Sequence, residues 1–192
     1  MFDFSRIAQS LELIGYVLAA LSLAPLFPFL YVVLRWRTED RDRHGIGTYG
    51  MLLYFCTLSF LLLVAGAANL TYGWVSTTPI RPLLERLAWG MFLGSGLFLL
   101  LNALLLRLVT VKPEWAEARR VFVGFLMTVA GMVTLIMILL FGMTLFEKVD
   151  PKEAEEVARR ADEMKLYASW AVYYAATYVG AVVRMTRVKP RG

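Results

Sequence analysis

Residues 44–50, HGIGTYG, combine the only histidine of the chain with three glycines at the spacing G-x-G-x-x-G. In a soluble enzyme this spacing is typical of a loop that binds the pyrophosphate of a dinucleotide. Such a loop follows a buried strand, opens an amphipathic helix and is followed about 20 residues later by an acidic residue. Here the segment follows the charged stretch RWRTEDRDR and precedes a long apolar stretch, and Leu70 stands where the acid is needed. The sequence therefore predicts no dinucleotide site.

The same segment lies beside a cluster of basic residues, which suggests a different ligand. The free amides at a helix start attract anions, and arginines next to a membrane attract anionic lipid headgroups. Three acids, Glu39, Asp40 and Asp42, lie among the arginines, so a solvated turn with inert surface ion pairs is the alternative. The residues that could contact an anionic lipid are Arg35, Arg37, Arg41, Arg43 and His44.

Neither a metal centre nor a catalytic set is predicted. Bis-histidine haem ligation requires two imidazoles and zinc sites require several Cys or His ligands, whereas this chain has one His and one Cys. There is no Walker motif, and no pattern marks a serine or Cys56 as the nucleophilic partner of His44. We therefore expect a protein that is not an enzyme and has no cofactor. A lipid- or quinone-modifying enzyme is kept only as a third class of function.

The composition shows where these residues must be positioned. Of the 192 residues 59% are apolar, against about 45–50% in soluble domains, and the mean hydropathy is +0.61. A helix needs about 20 apolar residues to cross the ~30 Å hydrocarbon layer. The sequence predicts an all-α membrane bundle, a single domain over 1–192. Its five expected spans are about 13–34, 48–72, 87–107, 120–146 and 166–184.

The positive charges indicate the orientation of these spans. The net charge is +5, and the basic residues lie in short segments beside the spans, which disfavours nucleic acid as a partner. If the N-terminus is outside, twelve of the 20 Lys and Arg residues fall on the inner side. The positive-inside rule therefore predicts an outer N-terminus and a cytoplasmic C-terminus.

Two features of the spans concern packing. Pro25 and Pro28 each remove an amide donor and crowd a carbonyl of the preceding turn, which predicts a kink in the first span. Small residues at helix-packing spacing let neighbouring backbones approach closely, either within one chain or between chains. The residues expected to pack helices are Gly90, Gly94, Gly124, Gly131, Ala176 and Gly180.

The last span follows a charged segment, 151–165. Asp150 and Pro151 form a helix start, and the pairs Glu155–Arg159 and Glu156–Arg160 at i,i+4 support a helix in water. We expect one long helix whose first turns lie outside the membrane. In the span itself Tyr167, Trp170, Tyr174 and Tyr178 share one face, which we expect to point to lipid and headgroups or to a partner surface. The small face roughly opposite, formed by Ser169, Ala176 and Gly180, can pack on the bundle.

The favoured function is a non-catalytic subunit, an accessory or scaffold protein of a membrane complex or a homo-oligomer. Its partners would be membrane lipids and other membrane chains or a second copy. Ionisable residues mark transport paths in membranes, and these spans carry them only at their edges. The alternative is a small channel or transporter with a pore around the first span, lined by Asn, Ser and Thr groups. For Asn102 an interhelical hydrogen bond is favoured over a substrate contact.

Overall fold

The chain folds into a helical bundle whose computed structural model describes residues 23–38, 46–76, 82–109, 115–146 and 154–187. Within these ranges it is all-α and holds no strand, which confirms the predicted fold class. The helices are α1 (Leu26–Thr38), α2 (Ile46–Val75), α3 (Pro82–Leu108), α4 (Ala116–Phe146) and α5 (Ala154–Arg187).

Four of these helices are long and apolar enough to cross a membrane, and the chain is a multi-pass membrane protein. Helices α2 to α5 contain at least 27 residues each, about 40 Å or more at 1.5 Å per residue, which exceeds the ~30 Å hydrocarbon layer. The apolar part of α1 is shorter, because the first half of the expected span 13–34 lies outside the described residues.

The helices form two antiparallel hairpins, α2 with α3 and α4 with α5, and α2 also packs against α5. The three basic helix ends therefore meet at one end of the bundle: the C-termini of α3 and α5 and the N-terminus of α4. Helix α2 is the most enclosed: 39% of its apolar 18-residue stretch is buried, whereas only 6% of the corresponding stretch is buried in α3 and in α4. Helix α3 makes extensive contact with α2 alone.

Gly66 determines how closely the first hairpin packs. A Cβ at this position would lie 2.7 Å from the backbone nitrogen of Phe92 and 3.1 Å from the carbonyl oxygen of Ala88, both on α3. Backbone atoms cannot move aside as a flexible side chain can, so only glycine allows this approach. Gly66 belongs to the small-residue stretch AGAA, 65–68, and it is the glycine that brings α2 and α3 together.

Two buried clusters stabilise the bundle. One, at the end where α1 and the start of α4 meet α2, holds Val32, Tyr49, Leu53, Trp115, Ala118 and Phe122. The other lies further along α2 and holds Leu61, Val64, Ala130 and Tyr174, joining α2, α4 and α5. Each cluster draws residues from three helices, so the bundle does not reduce to two independent hairpins.

Helix α5 is continuous from Ala154 to Arg187, but its buried face differs from the expected one. Tyr174 is fully buried, whereas Ala176 and Gly180 are exposed. Ser169 of the small face is buried, so packing of this face on the bundle is wrong for Ala176 and Gly180 and holds for Ser169. The physical reason is hydrogen bonding: Trp170 Nε1 donates to Asn69 Oδ1 at 3.1 Å, and the Tyr173 hydroxyl lies 2.9 Å from Thr71 Oγ1. In hydrocarbon these polar tips need protein partners, which only the bundle supplies.

The two prolines of the first span lie at the start of α1. Ala24 and Pro25 form a turn, after which the helix runs from Leu26. Pro28 has no amide to donate to the carbonyl of Ala24, and Phe27 N donates to that carbonyl instead, at 3.3 Å. The predicted kink stays a prediction, because the chain before residue 23 lies outside the described residues.

Candidate functional site

The residues predicted to contact anionic lipid are only partly described. Arg35 forms an ion pair with Glu117 across α1 and α4 and also donates to the Tyr31 hydroxyl at 3.2 Å, so its charge is balanced within the protein. The side chain of Arg37 and the whole of Arg41, Arg43 and His44 lie outside the described residues. A lipid contact at those positions stays a prediction.

The segment HGIGTYG leads into α2, which begins at Ile46. Tyr49 from this segment is 3% exposed and stacks on Trp115 of α4, with ring centroids 5.4 Å apart and an interplanar angle of 27°. The Trp115 indole is also buried, and within the described part of the chain its Nε1 has no hydrogen-bond acceptor. The motif therefore contributes an aromatic contact that joins the start of α2 to the start of α4.

A pocket of about 540 Å³ opens next to this contact. Helix α2 forms its back wall, α3 and α4 form its two sides, and α5 contributes one residue. Helices α3 and α4 make no extensive contact with each other, so the pocket occupies the wedge between them. We call this end of the bundle the pocket end.

Three arginines line this pocket, and each comes from a different helix: Arg107 from α3, Arg119 from α4 and Arg184 from α5. All three are exposed, and Arg119 and Arg184 are near enough for their like charges to repel. Within the described ranges none of the three forms a hydrogen bond or a salt bridge. We call these residues the arginine triad; it presents positive charge that the described part of the protein does not balance.

The remaining pocket wall is apolar, apart from a few groups. Cys56 is partly buried there, and the Thr57 hydroxyl donates to its own helix at the carbonyl of Leu53, 2.8 Å away. The tyrosine of the stacked pair, Tyr49, lies close to Arg119 and Arg184. The apolar side chains that line the pocket are Leu53, Phe60, Leu99, Ala103, Leu106, Phe122, Val123 and Leu126.

At the opposite end of the bundle, Arg160 is bound by protein groups. Arg160 of α5 donates from Nε to the carbonyl of Thr144 at 2.7 Å and from its terminal nitrogen to the carbonyl of Leu145, in the last turn of α4. These carbonyls have no partner within their own helix, and a cation there also favours the helix dipole. Arg160 therefore caps α4.

The charged segment before the last span forms other ion pairs than expected. Arg160 does not pair with Glu156, and Arg159 instead pairs with Glu156 at 3.7 Å and with Glu163 at 3.2 Å. The side chain of Glu155 lies outside the described residues. The sequence missed the cap because i,i+4 spacing concerns one helix, whereas the acceptors of Arg160 belong to another.

Polar residues inside the spans mostly hydrogen-bond to their own helices. Asn102 Nδ2 donates to the carbonyl of Phe98 at 2.8 Å, so the expected interhelical bond is wrong for Asn102 and is made by Asn69 instead. A hydroxyl or amide that bonds to the preceding turn is satisfied without a neighbour or water. The same i−4 bond is made by Thr57, Ser59, Ser95, Thr128, Thr134, Thr144, Ser169 and Thr177.

The predicted helix-packing residues occupy different environments. A Cβ on Gly131 would lie 3.2 Å from the ring of Tyr178, so this glycine packs between α4 and α5. Ala176 is exposed on α5. Among the six predicted residues, the four at which an added Cβ would have no described neighbour within 4 Å are Gly90, Gly94, Gly124 and Gly180. Those four do not pack against another described helix of the same chain.

The sequence alone does not identify the arginine triad as a site. The alternation of spans places residues 107, 119 and 184 on one side of the membrane, and all three are among the twelve basic residues assigned to the inner side. Their convergence on one pocket depends on the wedge between α3 and α4, which no spacing in the sequence encodes.

Within the described residues no group of three or more His, Cys, Asp or Glu side chains is placed to hold a metal ion. No protein-family model matches the chain, and neither a curated protein nor a solved structure shows a significant match to it. A functional hypothesis therefore depends on the residues and their geometry.

Proposed function

We propose that this chain is a non-catalytic membrane protein, an accessory or scaffold subunit that packs against other membrane chains or a second copy of itself. The observation that carries this proposal is the free small-residue face of α3. Gly90 and Gly94 form a G-x-x-x-G spacing on this face, and neither has an atom within 4 Å of the Cβ position.

The position of α3 in the bundle supports this role. Its only extensive contact is with α2, through the close approach at Gly66, and most of its remaining surface is leucine. Leucine is well solvated by lipid, but an exposed glycine pair gains dispersion contacts only when another helix approaches it. The small-residue face of α3 is thus suited to a second helix.

The test is association of the purified full-length chain in gentle detergent and in nanodiscs. We expect native mass spectrometry to show a fixed oligomer or a fixed membrane partner. Gly94→Leu should reduce the associated fraction, with an association constant about tenfold lower if roughly 1.4 kcal/mol of helix contact is lost. Gly142→Leu is the matched control, since Gly142 on α4 also has no atom within 4 Å of its Cβ position.

Two results would contradict this proposal. One is a chain that remains monomeric and partner-free in both environments. The other is an association that Gly94→Leu and Gly142→Leu weaken equally, because the contact would then not depend on the face of α3.

The proposal includes an orientation with the N-terminus outside and the C-terminus cytoplasmic. The excess of Lys and Arg on the pocket end supports it, through the positive-inside rule. In a Cys56→Ser background, a cysteine introduced at Glu155 should react with an impermeant reagent from outside. A cysteine at Arg120 should be protected until the membrane is opened, and the reverse labelling pattern would invert the orientation.

The alternative of a channel or transporter around the first span gains no support from the described part of α1. Val32 is 2% exposed and packs in an apolar cluster with residues of α2 and α4. The hydroxyl groups proposed to line a pore bond to their own helices. Solute flux through the purified chain in liposomes remains the measurement that would revive this alternative.

A further inference from the structure

We infer that the wedge between α3 and α4 is a binding site for one anionic phospholipid of the bilayer, with its phosphate held by Arg107, Arg119 and Arg184. This inference is independent of the proposed helix association. It concerns a different set of residues from the glycine pair of α3.

The charge of the site favours an anion. Three guanidinium groups from three helices line one pocket, and within the described chain no carboxylate pairs with any of them. Repulsion between Arg119 and Arg184 disfavours the empty site, and an anion between them removes it. Guanidinium groups bind phosphate oxygens through two parallel hydrogen bonds, which makes them suitable for a phosphate headgroup.

The three arginines lie near the ends of their helices, which places the triad at the depth of the lipid headgroups. Arg107 is one residue before the end of α3, Arg119 is in the first turn of α4, and Arg184 is near the end of α5. Charged residues at the ends of spans lie at the membrane interface, where lipid phosphates also lie. The phosphate of a bilayer lipid therefore reaches the triad without leaving its normal depth.

The apolar lining selects a lipid over a soluble anion. From Arg107 to Leu99 the α3 wall runs eight residues, about 12 Å at 1.5 Å per residue, and the α4 wall from Arg119 to Leu126 runs about 10 Å. This depth covers roughly a third of the ~30 Å hydrocarbon layer, enough for the upper part of an acyl chain. The volume of about 540 Å³ lies within the usual range of about 300–1,000 Å³ for ligand pockets.

The experiment measures lipid binding to the delipidated full-length chain. Phosphatidylglycerol and phosphatidylcholine are titrated separately, and bound lipid is counted by native mass spectrometry. We expect one tightly bound phosphatidylglycerol. The double variant Arg119→Gln/Arg184→Gln should weaken its binding at least about tenfold, as expected for lost charge-assisted hydrogen bonds.

Two control variants separate the pocket from general surface charge. Arg120→Gln removes the same charge from the neighbouring position on α4, which does not line the pocket, and should change binding less than about twofold. Ala103→Phe leaves all three arginines but fills the pocket wall, and should weaken binding as strongly as the double variant. Leu104→Phe, at the next position of the same helix, is its control because Leu104 does not line the pocket.

Each result supports or overturns the inference. An effect of Arg120→Gln as large as that of the double variant would show diffuse surface attraction, and binding that survives Ala103→Phe would show that the acyl chain lies elsewhere. Inorganic phosphate that displaces phosphatidylglycerol at equal concentration would identify a free anion as the ligand. Since the triad forms no hydrogen bond or salt bridge within the described residues, its variants should keep the melting temperature of the parent, and a large drop would mark these arginines as structural.

Discussion

The two ends of the helical bundle place arginine in opposite situations. At the end of the bundle farther from the pocket, Arg160 donates two hydrogen bonds to the last carbonyls of α4, and Arg159 pairs with two glutamates. At the pocket end Arg107 and Arg184 also lie near helix C-termini, yet neither donates to a carbonyl or pairs with an acid within the described chain. Arg159 and Arg160 thus contribute to the fold, whereas at the pocket end the three arginines of the triad are available to a ligand.

The difference follows from how helices meet at each end. Helices α4 and α5 pack along much of their length, so Arg160 of one helix reaches the orphan carbonyls of the other. Helices α3 and α4 make no extensive contact, so Arg107 and Arg119 have no such acceptor from their neighbour. Packing decides whether an arginine at a helix end becomes a cap or part of a ligand site.

The largest expected effect is a loss of stability when the cap formed by Arg160, at the end of the bundle away from the pocket, is removed. Arg160→Ala should lower the free energy of unfolding by about 2–3 kcal/mol, because two charge-assisted hydrogen bonds are lost and two carbonyls of α4 lose their partner. Arg159→Ala should change it by only about 0.5 kcal/mol, since its ion pairs are exposed. Unfolding in mixed SDS micelles measures both. Equal losses for the two variants would remove the distinction between cap and surface pair.

A smaller effect is expected for Arg35, an arginine of the pocket end whose charge is balanced by Glu117. The ion pair between Arg35 and Glu117 joins α1 to α4, and about 40% of each side chain is exposed. A double-mutant cycle with Arg35→Gln and Glu117→Gln should give a coupling energy below about 1 kcal/mol. A coupling energy near 3 kcal/mol would mean that this end also uses a cation for stability.

The smallest effect is expected at the arginine triad. Arg184→Gln in lipid-free micelles should leave the free energy of unfolding unchanged or raise it by roughly 0.5 kcal/mol, because the repulsion from Arg119 is removed and no hydrogen bond or salt bridge to a described residue is lost. Arg120→Gln serves as the comparison. With phosphatidylglycerol added, the parent should gain stability that Arg184→Gln does not gain. A loss above 1 kcal/mol without lipid would show that Arg184 supports the fold.

Helix α5 shows where prediction from sequence stops. Periodicity correctly separates an aromatic face from a small face, but both faces are compatible with packing in a membrane. The choice depends on partners: Trp170 finds the amide of Asn69, and Tyr173 finds the hydroxyl of Thr71, both on α2. Neither hydrogen bond can be predicted from the amino-acid sequence alone, because the two partners are about a hundred residues apart.

The glycines show the same limit from the other side. The sequence marks small residues as candidates for close packing, and the structure brings α3 to Gly66 and Tyr178 to Gly131. Gly90 and Gly94 are candidates of the same kind, but no described residue of another helix lies within 4 Å of their Cβ positions. Spacing describes a helix surface, whereas contact requires the direction in which that surface points.

The sequence by itself determined the all-α membrane fold, the approximate positions of the long spans and the single continuous helix before the C-terminus. These follow from local hydropathy, charge and helix-start signals, which act over a few turns. Only the tertiary structure decided that α3 and α4 diverge, that Arg160 caps α4 and that Arg107, Arg119 and Arg184 line one pocket. Those outcomes depend on distances between helices far apart in sequence, which side-chain packing sets and local patterns do not contain.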